Sequence, residues 1–171
     1  MPQTPKVGEL GEQLVAWWLH TQDWLILHHR WHCRWGEIDL IAQQQEWRNG
    51  RISPPHPLTL AFVEVKTRSQ GNWDADGLLA ITPQKQAKLW RTAQLFLAER
   101  PDLENLPCRF DVALVRCQHI SQRSRIDETA VSPSVEAIGK AIQVPSVQLG
   151  QSVIVAGYRL ILQDYIQSAF D

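Results

Sequence analysis

Leu58-Thr59-Leu60-Ala61-Phe62-Val63-Glu64-Val65-Lys66-Thr67 is the stretch on which the fold turns. Its β-branched and aromatic content reads as a buried strand, yet it carries an acid and a base two residues apart, projecting from one face. Upstream, Gly36-Glu37-Ile38-Asp39-Leu40-Ile41-Ala42-Gln43 reads as a second strand. The turn-rich residues 44–57, with Asn49-Gly50 and Pro54-Pro55, separate the two, so they are expected to be antiparallel neighbours joined by an enlarged loop. Downstream, residues 69–77 read as a loop. Thr82 is then an expected N-cap and Pro83 an expected first helical residue, opening a helix that runs to Glu99, with Pro101 fixing its end. Residues 108–117 return as an apolar strand, and strand, helix, strand in that order implies a right-handed parallel crossover.

The remaining elements follow by periodicity. Leu10, Leu14 and Trp17 or Trp18 recur at the spacing of one buried helical face, which predicts a helix over 7–20. Glu12 lies on the neighbouring face, between the small residues Gly8 and Ala16. Residues 24–30 read as a strand, residues 118–152 as an insertion or extended hairpin, and residues 153–162 as a last strand with a short tail at 165–170. The expected architecture is α-β-β-β-α-β-β, a mixed sheet flanked by helices, in a single domain over 1–171.

Composition narrows the class. The chain has 171 residues, 44% hydrophobic and 20% charged, near an ordinary globular protein. Lys+Arg 17 against Asp+Glu 18 leaves no global basic field. The first residues show no apolar run of a secretory signal, and 153–162 is too short for a membrane span and holds Arg159. Three scattered cysteines make no disulfide framework. A cytoplasmic location is the expectation.

The chemistry lies in the acids. Glu64 and Lys66 alone read best as an ordinary ion pair at a sheet edge. Asp39 alters that balance, because aspartate is disfavoured in mid-strand and pairing of the two strands would let it face Glu64. Two carboxylates plus a main-chain carbonyl, that of Val65, suit magnesium or manganese with waters retained, not zinc. Such an ion would neutralise a phosphodiester oxygen and activate water, with Lys66 stabilising developing charge. Glu12 could orient an outer-shell water; by itself it reads as a first-turn glutamate favoured by the helix dipole.

These residues resemble the YraN family of bacterial proteins. The resemblance rests on Gly11-Glu12 with Ala16 and Leu19, on Gly36-Glu37-Ile38-Asp39-Leu40-Ile41-Ala42, and on Phe62-Val63-Glu64-Val65-Lys66-Thr67-Arg68. Lys85, Arg109-Phe110-Asp111-Val112 and Ala169-Phe170 extend it over nearly the whole chain, apart from enlarged segments at 43–59 and 118–152. That family is similar to archaeal Holliday-junction resolvases of the PD-(D/E)xK nuclease superfamily. The resemblance implies a restriction-endonuclease-like core, with Asp39 and Glu64 as metal ligands, Lys66 as the catalytic lysine and Glu12 as the helix-borne acid.

Phosphate contacts are expected from Thr67 and Arg68, which follow the acidic strand, and from Arg34, with Arg30, Arg48 and Arg51 nearby. Lys85, Lys88 and Arg91 recur every three residues opposite Leu89, Ala93 and Phe96, and residues 83–97 contain no acid to neutralise them. A solvated helix face is the ordinary reading of such a stripe, but the scarcity of acids favours Lys85, Lys88 and Arg91 as nucleic-acid-binding residues. Trp17 and Trp90 read as core, and Trp47 and Trp73 as loop residues able to stack on an unpaired base. Glu37 reads as a strand-end residue near the site and Asp111 as a structural partner of a basic group. His28, His29, His32 and Cys33 match no zinc spacing, and Asp74-Ala75-Asp76-Gly77 lacks the rest of a calcium loop. The leading expectation is a magnesium- or manganese-dependent endonuclease acting on DNA, with branched or junction DNA as a candidate substrate and a homodimer as its natural form. The alternative is a non-cutting nucleic-acid-binding or recombination-accessory module on the same fold.

Overall fold

The computed structural model describes residues 6–45, 47–48, 51–52, 58–69, 81–120 and 146–170. Helix α1 (Val7–Thr21) is followed by β1 (Trp24–Cys33) and β2 (Gly36–Gln44), a two-stranded ribbon β3 (Trp47–Arg48) and β4 (Arg51–Ile52), and β5 (Leu60–Arg68). Helix α2 (Pro83–Glu99), β6 (Cys108–His119), β7 (Ser152–Val155) and β8 (Tyr158–Phe170) complete the order. The main sheet runs β1-β2-β5-β6-β8-β7. Only β5 and β6 are parallel, joined through α2; the other four contacts are antiparallel, that of β2 with β5 among them.

Alternation along β5 divides the core in two. Ala61 and Val63 face a cluster built on Leu10, Leu14, Val15 and Leu19 of α1. Leu60 and Phe62 face the other side, against Leu89, Ala93 and Phe96 of α2. The sheet is therefore covered by one helix on each face. Helix α2 begins as its residues dictate: Thr82 Oγ1 accepts from the Lys85 N–H at 3.3 Å and Pro83 occupies the first turn.

Three sequence expectations need correction. Residues 153–162 are not one strand with a tail, but a hairpin whose second strand continues to Phe170. Ala156 and Gly157 both have positive φ (51° and 82°), the backbone of a tight two-residue turn that matches strand twist. Trp90 is not core: it is 41% exposed and lies on Phe110 with centroids 4.9 Å apart. Glu64 and Lys66 are not at an edge, because β5 lies inside the sheet with neighbours on both sides. Trp73, residues 74–77 and most of 118–152 lie outside the described residues, as do the side chains of Trp47, Arg48 and Arg51. Among the described residues no helix is long and apolar enough to cross a membrane.

Candidate acidic site at a strand fork

The paired register of β2 and β5 ends at Leu40↔Val63. One step further sets Asp39 against Glu64, and there the ladder is replaced by a side chain: the Val65 N–H donates to Asp39 Oδ2 at 2.7 Å. On its other side Asp39 stands beside Arg30, which falls between the pairs His29↔Leu40 and Trp31↔Ile38. Arg30 has φ 49°, a left-handed backbone uncommon for a residue with a Cβ. Strand alternation breaks at this point. Ile38 packs in the α2-side core with Ile41, whereas regular pleating would send it to the α1 side with Leu40 and Ala42. Asp39 thus occupies the fork where β2 leaves β5.

Glu64 is 4% exposed and unusually surrounded for a buried acid. Its Oε1 accepts from Lys66 Nζ at 2.7 Å and lies 3.2 Å from Lys85 Nζ, brought over by α2. Its Oε2 is buried with no hydrogen-bond partner. A buried carboxylate oxygen in that condition is costly. Burial, with the charge of Glu64 second, lifts the Asp39 carboxyl to about 7; Glu12 also raises it, while the Val65 N–H and Lys85 act in the opposite direction.

The third acid comes from α1. Glu12 is buried and held by Arg30, whose Nε and a terminal nitrogen donate to Glu12 Oε2 and Oε1 at 2.8 and 2.9 Å. Arg30 also donates to Glu9 at 3.1 Å and lies 3.8 Å from Glu37. Hydrogen bonding to Glu12 holds the guanidinium charge more firmly still. Arg30 is therefore engaged by three acids and is not presented to a phosphate. Helix α1 reaches the sheet because residue 11 is glycine: a Cβ there would collide with Thr67 Oγ1 and come within 3.1 Å of Thr67 Cβ. The close approach is made at Gly11, whereas a Cβ on Gly8 would meet nothing nearer than Glu12 Oε1 at 4.0 Å.

The fold brings Glu12, Asp39, Glu64, Lys66 and Lys85 into one electrostatic neighbourhood. It does not bring Thr67 there. Thr67 shares the face of Val63 and Val65, and its hydroxyl is buried against α1 without a hydrogen-bond partner. Arg68 is exposed at the end of the acidic strand, and Lys88, Arg91 and Arg34 are exposed along α2 and the β1–β2 turn. The sequence showed Gly11 as part of a motif but not its close approach to Thr67, nor the Arg30–Glu12 pair, nor the reach of Lys85 to Glu64. Only the glycine beside Glu12 gave a local signal.

The raised Asp39 carboxyl has a consequence for stability. The folded chain binds this proton more tightly than the unfolded chain, whose aspartate titrates near 3.8. Its contribution is fully present below that value and is lost as pH rises towards 7. Asp39→Asn removes the penalty and can keep the bond from Val65. The variant is expected to match the wild type near pH 4 and to exceed it by about 4 kcal/mol, or roughly 8–16 °C in melting temperature, above pH 7 without divalent ions. Thermal unfolding across that range in EDTA checks it; a constant difference at all pH values would remove Asp39 as the titrating group.

A mixed α/β domain with carboxylates gathered at a strand fork is the class defined so far. The chain belongs to the family described as "Uncharacterised protein family UPF0102", which matches residues 11–115 and corresponds to the YraN family. It is similar to the UPF0102 protein of Acaryochloris marina, 52% identical over 170 residues, covering 96% of this chain and 90% of the relative. It is also similar to that of Trichodesmium erythraeum, 51% identical over 163 residues (95% and 87%). The UPF0102 protein of Synechocystis is 42% identical over 165 residues, 96% of this chain and 97% of the relative.

Proposed function

We propose that the protein is a metal-dependent endonuclease with a PD-(D/E)xK-type site, hydrolysing phosphodiester bonds in DNA. The carrying observation is the pair of coupled acids at the fork, Glu64 with its buried, partnerless Oε2 and Asp39 with its raised carboxyl. Both conditions describe an arrangement short of positive charge between two carboxylates. The donor set suits the ion expected. No group of three or more His, Cys, Asp or Glu able to hold a metal occurs among the described residues, so the proposed ion would rest on two carboxylates, a carbonyl and retained waters. Asp39, Glu64 and the Val65 carbonyl are oxygen donors of the number magnesium or manganese accepts while keeping several waters. When bound, the ion would supply charge neutralisation at phosphorus and a more acidic water.

The protein's own groups have distinct work. Lys66, hydrogen-bonded to Glu64, places a cation at the edge of the acidic site, where it can hold a water or offset charge developing on the phosphoryl oxygens. Lys85 fixes Glu64 from the opposite layer. Arg30 holds the Glu12 carboxylate in place through two hydrogen bonds, so the helix-borne acid acts on the site's field and on any water it can reach. Exposed Arg68 and Lys88 are placed to contact backbone phosphates, which positions a substrate without reading its sequence.

The test is a panel of labelled four-way junction, flap, single-stranded and linear duplex DNA with magnesium, manganese or EDTA. Cutting of at least one of them only with a divalent ion is expected. Binding with steep salt dependence and no cutting would transfer the protein to the non-cutting alternative.

A further inference from the structure

Trp35 lies at the turn between β1 and β2 and is 40% exposed, a costly position for a large aromatic ring. The turn is not loose. The Trp35 N–H donates to Cys33 Sγ at 3.4 Å, Cys33 Sγ lies 3.8 Å from Thr92 Oγ1 of α2, and a Cβ on Gly36 would stand 3.4 Å from that same hydroxyl. The ring is therefore held against α2 by its neighbours on both sides. Arg34 and Arg91 place their guanidinium carbons over the ring, 4.9 and 5.1 Å from its centroid, so the stacking surface is shared between the indole and these guanidinium planes. An open groove of about 480 Å³ runs beside it, lined by Trp35, Arg91, Gln94, Leu95 and Ala98.

We infer that Trp35, flanked by Arg34 and Arg91, is a stacking platform for an unpaired nucleobase, fed by a cationic track along α2 from the acidic site. The chemistry fits a nucleic acid in two respects. Aromatic rings and guanidinium planes both stack on bases, and every base offers a π face, so such a platform accepts any sequence. The second is placement. Lys85 touches Glu64, Lys88 lies next on the same face near Gly36, and Arg91 reaches the Trp35 ring. Lys85 and Arg91 are separated by roughly 9 Å of helix at the ordinary rise. A strand whose phosphate entered the acidic site could thus lay its next phosphates along this track and set a flanking base on Trp35. The inference deepens the nuclease reading by naming single-stranded or frayed nucleic acid as the substrate class, and rests on it for the direction of the track.

The test is fluorescence anisotropy of the full chain in EDTA, where nothing can be cut, with a labelled oligothymidine, an abasic strand of equal length, and a blunt duplex. Wild type is expected to favour oligothymidine over the abasic strand. Trp35→Ala is expected to weaken oligothymidine about tenfold and erase that preference, with its dependence on salt unchanged. Trp35→Phe should restore most of the loss, which also answers a failure to fold. Arg91→Ala should instead flatten the salt dependence. Equal affinity of wild type and Trp35→Ala for oligothymidine, or no preference over the abasic strand, would overturn the platform and leave the ring to a protein contact. Cutting in magnesium is scored separately. Trp35-dependent binding without cutting would uphold the platform while removing the nuclease reading, and cutting that ignores Trp35 would do the reverse.

Discussion

Lys66→Ala is expected to lower the rate of phosphodiester cutting by about 10²–10³-fold while leaving the fold and the affinity for divalent ions near wild type. The size follows from removing a single preorganised charge-stabilising donor from a partly buried site. The sparing of the fold follows from geometry. Glu64 Oε1 loses the Lys66 ammonium at 2.7 Å but keeps that of Lys85 at 3.2 Å, so no buried carboxylate is left uncompensated. Lys66→Arg is expected to restore charge but little rate, because a planar guanidinium cannot take the place of a compact ammonium beside Glu64. Single-turnover cutting, with manganese titration by calorimetry alongside, separates the two effects. A Lys66→Ala protein cutting within threefold of wild type would remove this lysine from the chemistry.

Asp111→Ala is expected to cause the largest loss of stability, about 3–5 kcal/mol. Asp111 is fully buried on β6, outside the acidic site, and is satisfied by three donors. Tyr165 Oη donates at 2.7 Å, the Ser168 N–H at 3.0 Å and Arg109 Nε at 3.1 Å. Ser168 has φ 47°, so this carboxylate also holds a left-handed kink near the end of β8. Truncation would strand the Tyr165 hydroxyl and the Ser168 amide and leave Arg109 without its carboxylate partner, with Gln167 and the Trp24 ring remaining. Burial and Asp111 together push the Tyr165 phenol well above its ordinary range, so it remains a donor at any working pH. The melting temperature should fall by roughly 10 °C or more, and by less in Asp111→Asn, which keeps an acceptor for the hydroxyl. A fall under 2 °C in thermal unfolding would show the network to be dispensable.

The two predictions separate what local sequence carries from what it does not. The strands at 36–44 and 60–68 were legible because each has enough β-branched and apolar residues to declare its burial, and Thr82-Pro83 declared a helix start by cap chemistry. Asp39 and Glu64 were legible as anomalies, acids placed where apolar residues belong. The Ala156-Gly157 turn was not, since alanine gives no warning that it adopts positive φ. The grip of Arg30 on Glu12 was not either, because it joins residues 18 apart across two elements and depends on a left-handed backbone at Arg30. Trp90 read as core from its type, but its ring lies against Phe110 with 41% of the residue left exposed. Thr67 followed the acidic strand in sequence, yet strand alternation turned it to Gly11 and away from the acids. Side-chain contacts across elements, together with the turn at 156–157, were the parts hidden from sequence.

In the proposed nuclease, Asp39 and Glu64 share an ion which permits cutting. The most direct measurement is the initial rate on the best-cut DNA for wild type and Glu64→Gln, each in magnesium and in EDTA. The substitution keeps the size of the side chain and removes only its charge. Wild type should cut in magnesium alone, and Glu64→Gln should cut at under about one hundredth of that rate while remaining folded. Cutting by wild type in EDTA, or equal cutting by Glu64→Gln in magnesium, would contradict the account.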